Sequence, residues 1–254
     1  MPLCEIVATH GKQNNNTQTL HMKKTLLIAA AALAAGIIST QASSVYSQNV
    51  VGYANQALLG GLNMVLPAVS ASGTNTSSAE AVFPCLKTGD QLYLFRSDGS
   101  GFDIAYFNAT NDWYDPNNGY ASIPVPQLTM GHALYYDNES GSIETNTYTG
   151  SVIFSNTVPL LGGLTLVGSS PAIGGSIEST NVGLPFQTGD QVYLWKPDAS
   201  GFNVAYYNAP GDWYDPNNGY ASIPVPQITV GVGFYYDNES GHSTNWVQNM
   251  AIPQ

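Results

Sequence analysis

The chain has 254 residues and a formal net charge of −11, with six Lys and Arg against seventeen Asp and Glu. So acidic a surface repels phosphate backbones and anionic lipid, which argues against nucleic acid and membrane surfaces as partners. Two cysteines, Cys4 and Cys85, are too few for a disulfide-stapled scaffold.

From the N-terminus, residues 1–21 have no periodicity and read as an upstream extension from a misassigned start codon. Met22, Lys23 and Lys24, the apolar run Leu26 to Ile38 and the small-residue end Thr40-Gln41-Ala42 have the three parts of a secretory signal peptide over residues 22–42. The apolar run is too short for a comfortable membrane span. Cleavage after Ala42 leaves Lys87, Arg96 and Lys196 against sixteen carboxylates, a net charge of −13. It also leaves Cys85 without an intramolecular partner, as a small buried hydrophobe between Pro84 and Leu86. The expected location is the exterior, the periplasm or the cell envelope, with no membrane insertion after cleavage.

Beyond the leader the chain is duplicated. Leu58 to Leu62 (LLGGL) returns at Leu160 to Leu164, and Thr88 to Gly141 aligns without a gap on Thr188 to Gly241 with 39 of 54 positions identical. Self-similarity of this kind predicts two tandem modules, here 43–147 and 148–254. The boundary stays open by about ten residues, because Tyr148 to Ile153 resembles Tyr46 to Val51 and, near the C-terminus, Trp246 to Ala251. Each module has about one hundred residues, enough to bury its own core.

Within each copy, Leu92 to Phe95 and Val192 to Trp195 alternate aliphatic and aromatic side chains and read as strands that are central or line a site. The turn-forming segments Ser97 to Gly101 and Pro197 to Gly201 lead into Phe102 to Phe107 and Phe202 to Tyr207, a hairpin signal. Further strands are expected at Leu62 to Leu66, Ala133 to Asp137 and Tyr148 to Phe154, with equivalents in the second copy. The prolines of Ile123 to Pro126 and Ile223 to Pro226 confine these segments to surface connections or sheet edges. With no sustained helical period, the predicted class is all-β: two similar β-sandwich or small-barrel modules after a cleaved signal peptide.

Val45 to Tyr53 (VYSQNVVGY), Gly60 to Val65, Tyr93 to Phe95, Gly101-Phe102, Trp113 and Gly131 to Tyr136 (GHALYY) together resemble a group of secreted bacterial β-repeat proteins with no assigned activity. The resemblance covers most of the chain after the leader. It implies export and β structure, and supplies no catalytic residues.

The loop Asp112 to Tyr120 (DWYDPNNGY), copied letter for letter at Asp212 to Tyr220, is the candidate ligand-binding element. Trp113, Tyr114 and Tyr120 can offer apolar surface to a sugar face, while Asp112, Asp115 and Asn117 bond its hydroxyls. Trp213, Tyr214, Tyr220, Asp212, Asp215 and Asn217 repeat the set. A structural reading competes, since Asp-Pro-Asn-Asn-Gly is turn chemistry and the tryptophan can close the core. Asp112, Asp115 and Asn117 are also hard oxygen ligands suited to calcium, although their spacing departs from the EF-hand pattern. Asp137 to Glu139 and Asp237 to Glu239 read as solvated loop.

No His-dependent arrangement occurs in both copies, because His132 aligns with Val232 and His242 with Ser142. No nucleophile elbow, zinc-protease helix or phosphate-binding loop is present. The expected role is that of an exported, acidic, non-catalytic structural or interaction protein of the envelope or exterior, with a glycan or an extracellular protein as partner. The alternative is a pair of carbohydrate-binding modules supported by calcium. A polymer with repeating epitopes would bind the pair more tightly than one module if both loops face one direction.

Overall fold

The computed structural model describes residues 50–170 and 173–250. Both leader segments expected from the sequence, 1–21 and 22–42, lie outside the described residues.

The first module contains β1 (Val51–Leu58), β2 (Gly61–Val65), β3 (Thr76–Ser78), the single-turn helix α1 (Ala79–Val82), β4 (Gln91–Phe95), β5 (Phe102–Ala109) and β6 (Asp112–Asp115). It is completed by β7 (Ala121–Ile123), β8 (Gln127–Thr129), β9 (Leu134–Asn138) and β10 (Glu144–Ser151). The second repeats this order as β11 (Ser155–Leu160), β12 (Gly163–Val167), β13 (Gly175–Ser176), β14 (Gln191–Trp195), β15 (Phe202–Ala209) and β16 (Asp212–Asp215). Then come β17 (Ala221–Ile223), β18 (Gln227–Ile228), β19 (Phe234–Asn238) and β20 (Thr244–Asn249). Among the described residues, helix is confined to α1 and two 3-10 turns, Pro116–Asn118 and Pro216–Asn218.

Each module is a sandwich, and the barrel alternative falls away because its main sheet is open at both edges. That sheet has six antiparallel strands in the order β2-β9-β4-β5-β6-β7, repeated as β12-β19-β14-β15-β16-β17. The second layer of the first module is built from the ribbons β1–β10 and β3–β8 together with α1. Between the layers, Leu58, Tyr148, Leu128 and Phe83 meet Leu92, Phe107, Trp113, Leu134 and Tyr136 in one core. The second module has its own core around Val192, Trp213, Phe234, Tyr236 and Trp246. As the prolines require, β7 and β17 are edge strands.

Tyr148 lies in β10, which pairs with β1 and closes the first module, while β11 opens the second at Ser155. Trp246 does not take the place of Tyr148. It stands where Asn146 stands, and the two donate to equivalent carbonyls, Asn146 Nδ2 to Val82 O at 3.1 Å and Trp246 Nε1 to Val182 O at 2.5 Å. The aromatic anchor of the closing strand has thus moved two residues between copies.

Asp137 to Glu139 departs from the expected solvated loop. Asp137 and Asn138 belong to β9, and Asn138 is buried with Nδ2 donating to Ser142 O at 2.8 Å and Leu58 O at 3.3 Å. The amide ties β9 to the chain entering β10, so the segment is a structural corner. Asp90 and Asp190 are fully buried corners as well. Asp90 accepts from the Tyr136 hydroxyl, from Lys87 N at 2.8 Å and from Glu139 N at 3.2 Å. Desolvation first, and then this hydrogen bond, push the Tyr136 hydroxyl far above its ordinary value.

The far faces of the two main sheets meet in a third apolar cluster of Met64, Leu66, Tyr135, Leu166 and Tyr235, flanked by Phe95, Phe102, Trp195 and Phe202. The contacts are reciprocal. Leu66 N donates to Gly231 O at 2.8 Å and the equivalent Gly168 N to Gly131 O at 3.0 Å. Likewise the Phe95–Tyr235 rings lie 6.0 Å apart, the equivalent Tyr135–Trp195 pair 5.6 Å, and Tyr135 and Tyr235 meet each other at 6.4 Å. Reciprocal pairing of this kind defines a two-fold relation. The backbones approach so closely that a Cβ on Gly233 would sit 2.2 Å from Ala133 Cβ.

Candidate functional site

The sheet face that forms the module interface continues outward onto β5, β6 and β7, where the other module no longer covers it. Alternation along a strand sends successive side chains to opposite faces. Tyr106 and Asn108 of β5, and Asp112 and Tyr114 of β6, therefore point outward, while Phe107 and Trp113 point into the core. Antiparallel register sets Tyr106 directly opposite Tyr114, and Tyr114 opposite Ser122. Asn108 Nδ2 donates to Asp112 Oδ2 at 2.6 Å, which fixes both side chains. The Asp112 carboxylate, as a hydrogen-bond partner and by its charge, raises the Tyr114 hydroxyl above its ordinary value.

The turn then returns a third tyrosine to the same face. Asp115 Oδ1 accepts from Asn117 N at 2.9 Å, starting the 3-10 turn that Pro116 favours, and Tyr120 N closes it on Asp115 O at 2.9 Å. Gly119 adopts φ 59°, which glycine tolerates, but Tyr120 follows at φ 58°. For a bulky L-residue that conformation is strained. Its consequence is that the Tyr120 ring swings over Tyr106, 5.6 Å away and edge-on at 83°, and stays 57 % exposed. Tyr106, Asn108, Tyr114 and Tyr120 line a shallow depression of about 400 Å³.

The second copy repeats the arrangement. Asn208 bonds Asp212 at 2.6 Å, Tyr220 has φ 58°, and its ring stands 5.6 Å from Tyr206 at 85°. Asp212 raises the Tyr214 hydroxyl as Asp112 raises that of Tyr114.

Not all of the candidate residues contribute to this surface. Trp113 and Trp213 are 0 % exposed, their rings packed in the two cores. Each indole is held from behind by a carboxylate: Trp113 Nε1 donates to Glu80 Oε1 at 2.9 Å and Trp213 Nε1 to Glu178 Oε1 at 2.8 Å. Asp115 and Asp215 each spend a carboxylate oxygen on the turn, accepting from the backbone N of Asn117 and Asn217, and neither Asp115 nor Asn117 lines the tyrosine depression. Asp112 and Asp115 fall on opposite faces of β6, so the oxygens suited to calcium do not converge. Among the described residues no three His, Cys, Asp or Glu side chains gather around a point that could hold a metal ion.

The residues that sequence reasoning passes over are Tyr106 and Asn108, with Tyr206 and Asn208. A signal exists, since both pairs lie in the gap-free duplicated block at outward positions of a predicted strand. Glu80 and Glu178 escape because they lie outside that block, although each follows a serine at the same spacing, Ser78-Ala-Glu80 and Ser176-Ile-Glu178.

Two single-copy features lie elsewhere. Cys85 is a half-buried free thiol against the first core, its Sγ 3.3 Å from Asn146 Oδ1, and burial pushes its pKa up. His132 lines a cavity of about 330 Å³ together with Phe95, Arg96 and Leu161. Desolvation pushes its imidazole down, towards the neutral form. No carboxylate or thiol belongs to that lining.

Comparison with known proteins finds no matching family model, no matching curated protein and no matching solved structure.

Proposed function

We propose that this chain is an exported, non-catalytic interaction protein of the cell envelope or exterior, whose two tyrosine patches bind a neutral carbohydrate. The observation that carries the reading is the duplicated patch itself. In each copy three outward tyrosines surround an Asn–Asp pair, and one of them, Tyr120 or Tyr220, is held exposed by a strained backbone. Strain of about 1–3 kcal/mol persists where the surroundings over-determine it and clusters at ligand sites. A sugar presents apolar C–H faces to aromatic rings and hydroxyls to amide and carboxylate oxygens, which is the mixture these patches offer. An anionic ligand is disfavoured, because the patch contains Asp112 and no base.

Affinity electrophoresis in native gels containing mixed-linkage β-glucan, galactomannan or xylan tests the reading. Retardation by at least one of these polymers, abolished in the Tyr120→Ala/Tyr220→Ala double variant, is the expected result. Equal mobility in all gels, or a double variant retarded as strongly as the parent, would overturn it.

A further inference from the structure

The tyrosine patch belongs to a longer row of side chains. Residues directly opposite one another in antiparallel strands share a face, and the register of the first main sheet sets Leu62, Asp137, Gln91, Tyr106, Tyr114 and Ser122 side by side from β2 to β7. The second sheet aligns the same six residue types, from Leu164 on β12 to Ser222 on β17. None of the six is fully buried in either copy. The next row, through Tyr135 or Tyr235, lies against the interface cluster, and there the copies have diverged, with Leu166 in place of Met64 and Val204 in place of Ile104. The row also shows where a ligand on the patch can extend. Beyond Ser122 the sheet ends. Along the strands, one direction reaches the turn from β5 to β6 just past Asn108, and the other reaches Phe102, whose ring packs on the interface cluster. Toward β4 and β9 the surface continues through Gln91 and Asp137, an amide and a carboxylate suited to hydroxyls. Gln91 Nε2 donates to Glu139 Oε1 at 3.5 Å and Gln191 Nε2 to Glu239 Oε1 at 3.2 Å, which orients each amide. Burial, and after it the charge of Glu139, holds the Asp137 carboxyl above its ordinary value, a cost that a hydroxyl donated by a ligand would offset.

We propose that each module binds a single polysaccharide chain laid across its strands, with successive sugar units over Tyr114, Tyr106, Gln91 and Asp137, so that Gln91 and Asp137 extend the tyrosine patch into a four-unit site. The inference rests on the carbohydrate reading above. Neighbouring strands lie roughly 4.8 Å apart, about the length by which one β-linked pyranose advances its chain, so each strand offers one side chain to one sugar. Leu62 and Ser122, with neither ring nor amide, end the row. Adjacent strands are also rotated by roughly 20–25°, which turns the outward direction by about 60–75° over the three steps from Tyr114 to Asp137. The flat surface of a crystalline polymer does not follow such a turn, whereas one soluble chain can wind with it.

The test titrates the full chain calorimetrically with β-gluco-, xylo- and manno-oligosaccharides from disaccharide to hexasaccharide. It repeats the series with the Gln91→Ala/Gln191→Ala double variant, whose fold is checked by its melting point. Affinity should rise with each unit up to the tetrasaccharide and then level off. The double variant should bind the disaccharide as the parent does and the tetrasaccharide about three- to tenfold more weakly, as loss of a neutral hydrogen bond entails. A tetrasaccharide bound no more tightly than the disaccharide would overturn the row while leaving the patch intact. So would a double variant that keeps the parent's full dependence on length, or one that loses disaccharide and tetrasaccharide affinity alike. Retention on microcrystalline cellulose that the Tyr120→Ala/Tyr220→Ala variant loses would overturn the single-chain geometry. Absence of binding across the whole series would overturn the patch and the row together.

Discussion

Replacing Tyr120 and Tyr220 by glycine should remove ligand binding while leaving the fold close to its original stability. An L-residue in the left-handed region costs about 1–2 kcal/mol relative to a relaxed backbone, and both tyrosines sit there at φ 58°. Glycine releases that cost. Against it stand the lost edge-on contact with Tyr106 or Tyr206, about 0.5–1.5 kcal/mol, and the greater freedom of glycine in the unfolded chain, about 0.4–1 kcal/mol. These contributions nearly cancel, leaving a change within about 1 kcal/mol per module. Trp113→Ala gives the contrast, because its ring is 0 % exposed and truncating a buried tryptophan costs about 3–5 kcal/mol. At roughly 4–8 °C per kcal/mol for a domain of this size, scanning calorimetry should show the glycine variant within about 8 °C of the parent and the Trp113 variant at least about 12 °C lower. A glycine variant that melts as low as Trp113→Ala would make Tyr120 a structural residue. One that keeps both its melting point and its ligand would remove the patch from the binding site.

Glu80→Ala should cost about 1–3 kcal/mol by leaving the buried indole donor of Trp113 without its acceptor, and Glu178→Ala should match it in urea denaturation, since the two carboxylates do the same task; unequal losses would deny that equivalence. Burial first, then the charge of Glu139, raises Asp137 above its ordinary 3.8, and burial followed by Glu239 does the same to Asp237. A raised carboxylate pKa means stability that is present below the unfolded value and lost as pH rises through the folded one. Asp137→Asn/Asp237→Asn should therefore melt higher than the parent at neutral pH, with the gap closing as pH falls below 3.8; a gap independent of pH would contradict the cause assigned. Lys87→Ala should lower the melting point because it strips the ion-pair partner from Glu144, whose Oε2 is already buried without a hydrogen bond. Adding Glu144→Thr, the residue the second copy carries at Thr244, should restore the melting point, and failure to do so would place the loss elsewhere.

The architecture is legible in the sequence because the repeat is long and its strands alternate. Leu92 to Phe95, apolar on both faces, reads as central or as lining a site, and β4 is central, with Leu92 and Leu94 in the core and Phe95 at the module interface. What sequence cannot supply is the partner of the aromatic face. Nothing local distinguishes Tyr135, which meets Tyr235, from Tyr114, which meets solvent; sheet order decides it. The tryptophans stand out in the duplicated loop as a platform, but alternation within a four-residue strand turns Trp113 inward and Tyr114 outward. Tyr120 takes its exposed position through two successive left-handed residues after the 3-10 turn, a backbone choice that Gly119 signals and Tyr120 does not. The Asn138 corner escapes because Asp-Asn-Glu-Ser is ordinary loop composition, and only the return of the chain past Leu58 buries the amide.

Isothermal titration of the full chain with a hexasaccharide cut from the polymer it binds addresses the central claim most directly, because a ligand this short excludes both avidity and cross-linking. Two equivalent, independent sites per chain are predicted, with one remaining in Tyr120→Ala or Tyr220→Ala and none in the double variant. A single site per chain, or binding heat that survives in the double variant, would contradict the assignment of the tyrosine patches.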